Sequence, residues 1–528
     1  MSLFTIRVIS IITVIFLIGL EVFLYRRNGT HPKIIYYLLG LWAGLNIIFI
    51  FFLWFNHINF PLNLSSLEGA ILQHFRRAVA FEPIYPDPTP VYVPLAYNPL
   101  FYIVSLPFAW IFGVNLPTLR LVAILGTLGS GLILFRVVKE RTESYWWGLI
   151  TIGLFASAYR VMDSSLDTAN VDSLLIFSVL LSSYIIDRNR SKAWNLAGVF
   201  ILIASFWFKQ HGALFLISGL FFLTWREGVV SSLVYWLIAI IFGPIIYIFA
   251  GNLLFGPQFH YFTWEVPRKW TELNITTIRR YIGFIIKSYP FLALSSGVLT
   301  IFILIRKKKL LNIWIFQLIA ATIAGFLGAL DPGSSDNVFI PLGIFFILVG
   351  ILGLHQFMTG GIFSEKYRLH LLAISLSFIL FLYSPFSVII SPLADHNYAE
   401  LISTLKGLNG NVYAPIIGQL QNEYQFYPSA HWVALEDMIR GPGRKLQNHP
   451  NTRRILNQII KPDNQTFILH NFPLEIDQVL GFLSEDYKLE ADFGDHFKPL
   501  SILPGRYSQY TAWPRYLYRY ENDQGGVN

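Results

Sequence analysis

The stretch Leu64–Gln73, LSSLEGAILQ, lies just past a long apolar run, and Glu68 is its one charge. A carboxylate at the edge of a bilayer can take a proton from an attacking hydroxyl. It can also serve a helix end. Ser65-Ser66-Leu67-Glu68 has the S-x-x-E spacing of a capping box, in which the serine caps and the glutamate bonds back. The spacing leaves both readings open. Asp163 and Asp167 are four residues apart and would share a face on a helix. Hard cations prefer oxygen ligands, so a divalent cation on this pair stands beside capping or solvation. Lys209, Gln210 and His211 break an apolar run, where a cation faces a cavity, takes a partner or snorkels to headgroups. Phosphate binding is the functional reading of Lys209, and of Arg76 and Arg77 further upstream. His260 reads as a hydrogen-bonded interfacial residue or a ligand-binding one. Tyr85, Tyr92, Tyr97 and Tyr102 offer rings with polar tips, suited to a membrane-interface belt or to stacking. Asp331 and Asp336 flank a Gly-Ser turn.

The elements that must position these residues are membrane helices. The chain has 528 residues, of which 54% are hydrophobic and only 13% charged, against about 25% charged in soluble domains. The mean hydropathy is +0.52. A polytopic α-helical membrane protein follows. There are no cysteines, which excludes disulfides, thiolate nucleophiles and cysteine metal sites. The net charge of +8 reads as topology, not as nucleic-acid binding, because the basic residues cluster between apolar runs. About twelve spans are expected from the length needed to cross a bilayer. They lie near residues 5–25, 35–55, 118–136, 145–161, 172–186, 193–208, 211–225, 229–250, 281–305, 311–329, 337–356 and 370–390. The first run lacks an A-x-A-like exit and reads as a span instead of a cleaved signal. The apolar piece 99–113 is short and predicts a half-helix in the interface.

Lysine and arginine set the orientation. Arg26, Arg27 and Lys33, then Arg136, Lys139 and Arg141, then Arg188, Arg190 and Lys192, then the RKKK of 306–309, then Lys366 and Arg368 occupy alternate loops. The positive-inside rule makes these cytoplasmic. Regions 56–117, 162–171, 251–280 and 330–336 are then outside. So is the tail from about residue 391, and the location expected is a plasma (inner) membrane. The tail is polar and mixed, with β-like runs at 410–418 and 465–472 and a helix-like stretch at Trp432–Ile439. It is long enough for one small α/β domain, so the chain divides into a membrane domain, 1–390, and an outer domain, 391–528. All the candidate residues named above fall on the outer side. Acids, cations and rings together suit an anionic, sugar-bearing lipid, with a cation on phosphate and a carboxylate accepting the acceptor's proton.

The order of span, long outer loop opening with an acid, and the segment AYNPLFYIVSLPFAWIFG at 96–113 followed by LRLVAILGTLGSGLILFRVVKERTES at 119–144 resembles the GT-C superfamily of glycosyltransferases. Within it the chain looks like the bacterial family 39, RgtA-B-C-D-like group, related to protein mannosyltransferases and to the lipid A aminoarabinose transferase. The similarity covers roughly residues 35–355 as an architecture. It implies inverting transfer of a sugar from a polyprenyl-phosphate donor to a glycan, lipid or protein acceptor. It also implies an acid of the first outer loop, Glu68, as general base. The family often shows an Asp or an Asp-Glu pair there, where this chain has Leu67-Glu68. The same resemblance points to Asp163 or Asp167 as a second acidic site and to Lys209 beside the lipid phosphate.

A transporter or flippase of lipid-linked glycans is the competing class. It would favour charges inside spans, broken helices and duplicated halves, whereas most charges here lie in loops and no internal repeat is evident. A non-catalytic scaffold whose tail binds a partner would leave the acidic first loop without a role.

Overall fold

The computed structural model describes residues 3–28, 33–306, 311–360, 367–418, 426–440, 454–455, 466–504 and 512–521. Lys307–Lys309 and Lys366, used above for orientation, lie outside them. Each of the twelve apolar segments overlaps a helix. Five helices among the described residues are long and apolar enough to cross a membrane: Leu3–Asn28, Ile34–His57, Leu116–Thr142, Val229–Phe255 and Asp336–Thr359. A sixth crossing is made if Ile275–Ser288 and Pro290–Ile305 count as one, though they meet at 99°. The bend has a covalent cause, because Pro290 has no N–H to continue the ladder. The expected straight span 281–305 is therefore a broken one. Other apolar helices, such as Tyr145–Ser157 and Ile313–Ala329, are shorter.

The helix boundaries follow from local chemistry. Asn115 caps Leu116–Thr142 by accepting the Thr118 N–H at 2.9 Å, with Pro117 in the first turn. Ser191 and Asn312 cap Lys192–Phe208 and Ile313–Ala329 in the same way. Within Val229–Phe255, residues Ile241–Ala250 are wound as a π-helix around Pro244. Burial ranks the helices. In the apolar window of Asp336–Thr359, 83% of residues are buried, against 11% for Leu3–Asn28. The former is the axis of the bundle and the latter lies at its rim.

The tail forms a four-stranded sheet of β1 (Asn411–Tyr413), β2 (Thr466–His470), β3 (Tyr487–Asp492) and β4 (Tyr516–Tyr520), in the order β1-β2-β4-β3. β1 runs parallel to β2, the other pairs are antiparallel, and a bulge interrupts β3 between Leu489 and Ala491. Every residue of β2 is buried, as expected of a central strand. The helices Ala394–Lys406 and Trp432–Ile439 belong to the same domain.

This domain binds the loops at one end of the bundle. Leu503 N–H donates to Leu64 O, Ala430 N–H to Pro90 O, Ser164 Oγ to Pro504 O, and Trp270 Nε1 to Asp437 O. Arg440 Nη1 donates to Gly333 O. The four loop regions and the tail, separate in sequence, therefore meet on one face.

Candidate active site

Between that face and the C-terminal domain lies a cavity of about 260 Å³. Its membrane-domain wall carries Leu67, Tyr97, Lys209, Gln210 and His211. The loops 267–271 and 331–338 add Trp270, Asp331, Ser335 and Asn337. The C-terminal wall is a single helix, Trp432–Ile439, with Arg440 just after it. It presents Trp432, Glu436, Asp437 and Arg440.

Lys209 is at the end of Lys192–Phe208, in extended backbone, as a turn reverses the chain into Gly212–Glu227. The turn closes tightly: a Cβ on Gly212 would stand 2.1 Å from Ser205 O. Its ammonium donates to Asp172 Oδ1 at 2.8 Å and lies 5.5 Å from the centre of the Tyr97 ring. Asp172 Oδ2 accepts from Asn337 Nδ2 at 3.0 Å, so the pair is tied to the opposite loop. An ammonium has three donors, and the pair with Asp172 occupies one. Gln210 Nε2 is spent on Ala96 O and Thr263 O, which ties the first outer loop to the loop region 251–280.

The C-terminal wall is acidic around one arginine. Arg440 Nη2 donates to Asp437 Oδ1 at 2.7 Å and lies 3.6 Å from Asp331 Oδ2. Its guanidinium lies 4.0 Å from the centre of the Trp270 ring, and its side chain crosses Gly333, where a Cβ would meet Arg440 Cδ at 2.3 Å. Burial pushes Asp437 up to about 7, with Arg440 opposing and Glu436 and Asp331 adding to the shift. Burial raises Asp331 and Glu436 as well. Burial thus raises all three carboxylates gathered around this one guanidinium. The helix is anchored from behind. Asp477 Oδ2 accepts from Trp432 Nε1 at 3.0 Å, and His470 Nε2 lies 3.1 Å from the same oxygen.

Glu68 stands elsewhere than expected. It begins the helix Glu68–Val79, is fully buried, and points into the protein. Arg120 Nε donates to its Oε1 at 3.0 Å and Arg120 Nη2 to its Oε2 at 2.7 Å. The N–H groups of Ala169 and Leu64 add one bond to each oxygen, at 2.7 and 2.6 Å. Arg120 in turn binds the carbonyls of His57, Ile58, Phe60 and Leu62. A carboxylate closed by four donors has no oxygen turned to the cavity. Its neighbour Leu67 faces the cavity instead. The capping box also does not form. Leu67 is the cap residue, Ser65 Oγ is buried without a partner among the described residues, and Glu68 bonds to the Leu64 N–H.

The two aspartates of the second outer loop turn apart. Asp163 and Ser164 have φ of 60° and 52°, so no helix carries 163 and 167 on one face. Asp163 bonds to the Ser335 side chain and the Asn337 backbone, and burial raises it to about 6. Asp167 accepts from Tyr159 at 2.7 Å and lies 2.7 Å from His57 Nδ1, fully inside. They do not form the one ligand pair that a shared cation needs. Among the described residues, no group of three or more His, Asp or Glu side chains is placed to hold a metal.

The remaining candidates divide. Tyr97, Lys209 and Gln210 meet at the cavity. Arg77 pairs with Glu82 at 3.0 Å and covers the Tyr92 ring at 4.6 Å. Arg76 is half-buried near by, outside the lining. His260 Nε2 lies 2.6 Å from Tyr247 O, also away from the cavity. Tyr85, Tyr92 and Tyr102 form no interfacial belt. They are buried around His74, whose ring centre is 5.0 Å from that of Tyr92 and 5.3 Å from that of Tyr102. Sequence reading missed Glu436, Asp437, Arg440 and Trp432. The one signal was the helix-like stretch itself, since nothing in it said which loop it would meet.

Residues 98–253 match the family model described as dolichyl-phosphate-mannose-protein mannosyltransferase. No curated protein matches the chain by sequence. Among solved structures, ArnT from Cupriavidus metallidurans in the apo state aligns with a TM-score of 0.52 over 90% of this chain and 97% of that one, at 11% identity. The form of ArnT bound to undecaprenyl phosphate aligns with a TM-score of 0.51 over 92% and 99%, also at 11%. The chain shares its fold with ArnT, and its long apolar helices are those of a multi-pass membrane protein. The matched segment 98–253 includes Lys209, Gln210 and His211 of the membrane-domain wall, and Asp172, which pairs with Lys209.

Proposed function

We propose that the protein is an inverting glycosyltransferase that moves one sugar from a polyprenyl-phosphate donor to a glycan, lipid or protein acceptor at the outer face of the plasma (inner) membrane. The observation that carries this is the cavity itself. A largely buried ammonium on one wall faces carboxylates on the other, at one end of an apolar bundle. As the bond from sugar C1 to the phosphate oxygen breaks, negative charge gathers on the phosphate, and Lys209 answers it in a site of low dielectric. Asp172 holds the ammonium in place, and Asn337 holds Asp172. The tyrosine and tryptophan rings of Tyr97, Trp270 and Trp432 suit a sugar's C–H face. In this reading Glu68 is a positioning group. With Arg120 it ties the first outer loop to Ala169 in the second, and so sets where Leu67 and Ser66 stand.

The test is transfer by the purified full chain in vesicles, with a panel of radiolabelled polyprenyl-phosphate sugars and sugar-bearing acceptors. Transfer from at least one donor, with a change of anomeric configuration, is expected. Absence of transfer from all of them would sink the enzyme reading. Protease added outside intact cells is expected to cut the tail, and protection of the tail would reverse the orientation.

A further inference from the structure

The cavity holds carboxylates of unequal freedom. Asp437 is bonded to Arg440, and Asp331 is held by the Gly333 N–H at 2.9 Å and by Arg440. Glu436 lies on the same wall, and its carboxylate has no hydrogen-bond or ion-pair partner among the described residues. It is only partly buried and lines the cavity. The first-loop acid, by contrast, is sealed behind Leu67 with four donors on its oxygens. A general base needs a lone pair within reach of the proton it takes, and an ionised carboxylate saturated with donors offers none. The helix that carries Glu436 is held: its carbonyl accepts the Arg440 N–H at 2.8 Å, and Trp432 and Asp437 on the same helix are both bonded.

We propose that Glu436, on the C-terminal domain, is the catalytic base of this site, so that the soluble domain completes the active centre and is not an appendage. The inference rests on the glycosyltransferase reading. In the step, the Glu436 carboxylate takes the proton of an acceptor hydroxyl. The hydroxyl oxygen forms the new bond to C1 of the donor sugar, the bond from C1 to the phosphate oxygen breaks, and its electron pair leaves on the lipid phosphate beside Lys209. No metal or oxidant enters the balance. Burial raises the Glu436 carboxyl from its ordinary value, against the pull of Arg440, a shift in the direction that favours a base.

The experiment uses the full chain in vesicles with whichever labelled polyprenyl-phosphate sugar the wild type accepts. Glu436→Gln should lower kcat by about 100-fold or more, the size expected for loss of general base catalysis, with KM for the donor unchanged. Glu436→Asp should keep part of the rate. Glu436→Ala should regain transfer on addition of formate, which replaces a missing carboxylate and does nothing for a folding defect. A near-normal kcat in Glu436→Gln would overturn the assignment while leaving the transferase reading intact. So would a Glu436→Ala variant that binds donor as the wild type does yet shows no response to formate. A wild type inactive with every donor would overturn both.

Discussion

Two short helices at the same end of the molecule each carry a glutamate, and they are opposites. Glu68 starts Glu68–Val79 in the membrane domain. Glu436 sits in Trp432–Ile439 of the tail. The first has four donors on its two oxygens and no exposure. The second has none among the described residues and borders a cavity. Position along the chain favoured the first for chemistry, but the count of donors favours the second. A buried ion pair with every lone pair used is architecture, and removing one member leaves a buried charge behind.

The largest effect expected from breaking this contrast is on folding. Glu68→Gln strands the Arg120 guanidinium at a cost of about 3–5 kcal/mol, enough to leave little folded protein after solubilisation. Size-exclusion profiles and melting would register it. Glu68→Leu with Arg120→Met should be milder than the sum of the two single changes, since neither charge is then left alone. It should still fall short of wild type, because Arg120 also serves four carbonyls. Well-folded Glu68→Gln protein with slow transfer would restore Glu68 to a catalytic role.

Next in size is the cation. Lys209→Met should cut transfer by about 100-fold or more, the scale of losing one oxyanion partner. Binding of polyprenyl phosphate should weaken, while Leu214→Ala, a nearby position outside the cavity lining, should leave it unchanged. Unaltered phosphate binding would show that the ammonium serves only Asp172.

A carboxylate moved across the cavity sharpens the contrast further. Leu67 faces the space that Glu68 avoids. Leu67→Asp introduced into a Glu436→Gln background should recover about a tenth of the lost rate, given the range over which general bases act. Recovery would show that the cavity needs an acid from one wall or the other. No recovery, with folding intact, would tie the chemistry to the C-terminal wall.

What could be read from the sequence followed hydrophobic length. All twelve apolar segments lie on helices, and alternate loops do gather on one face. The broken span at Pro290 was missed because the run stays apolar through the bend. Lys209, Tyr97 and Gln210 stood out because a polar residue in apolar sequence has to be accommodated somewhere. The direction of Glu68 was not legible. It depends on Arg120, fifty-two positions away, and one residue of helical rotation decides which of Leu67 and Glu68 sees the cavity. The C-terminal wall escaped for the same reason: Arg440 and Gly333 meet only after the fold has formed.

The smallest effect concerns how the two walls hold together. Asp437 is raised from 3.8 to about 7 in the folded protein, because burial outweighs the pull of Arg440. A raised carboxyl contributes stability that is complete below its unfolded value and is lost as pH rises through the folded one. Docking of the C-terminal helix should therefore weaken between pH 6 and pH 8. The melting temperature of the solubilised chain should drop over that interval by about 2 °C, the shift expected of roughly 1 kcal/mol in a protein of this size or smaller. Asp437→Asn, which cannot ionise, should flatten the dependence while keeping an acceptor for Arg440 Nη2. A melting temperature that instead rises with pH in the wild type would mean that the Asp437–Arg440 pair outweighs burial.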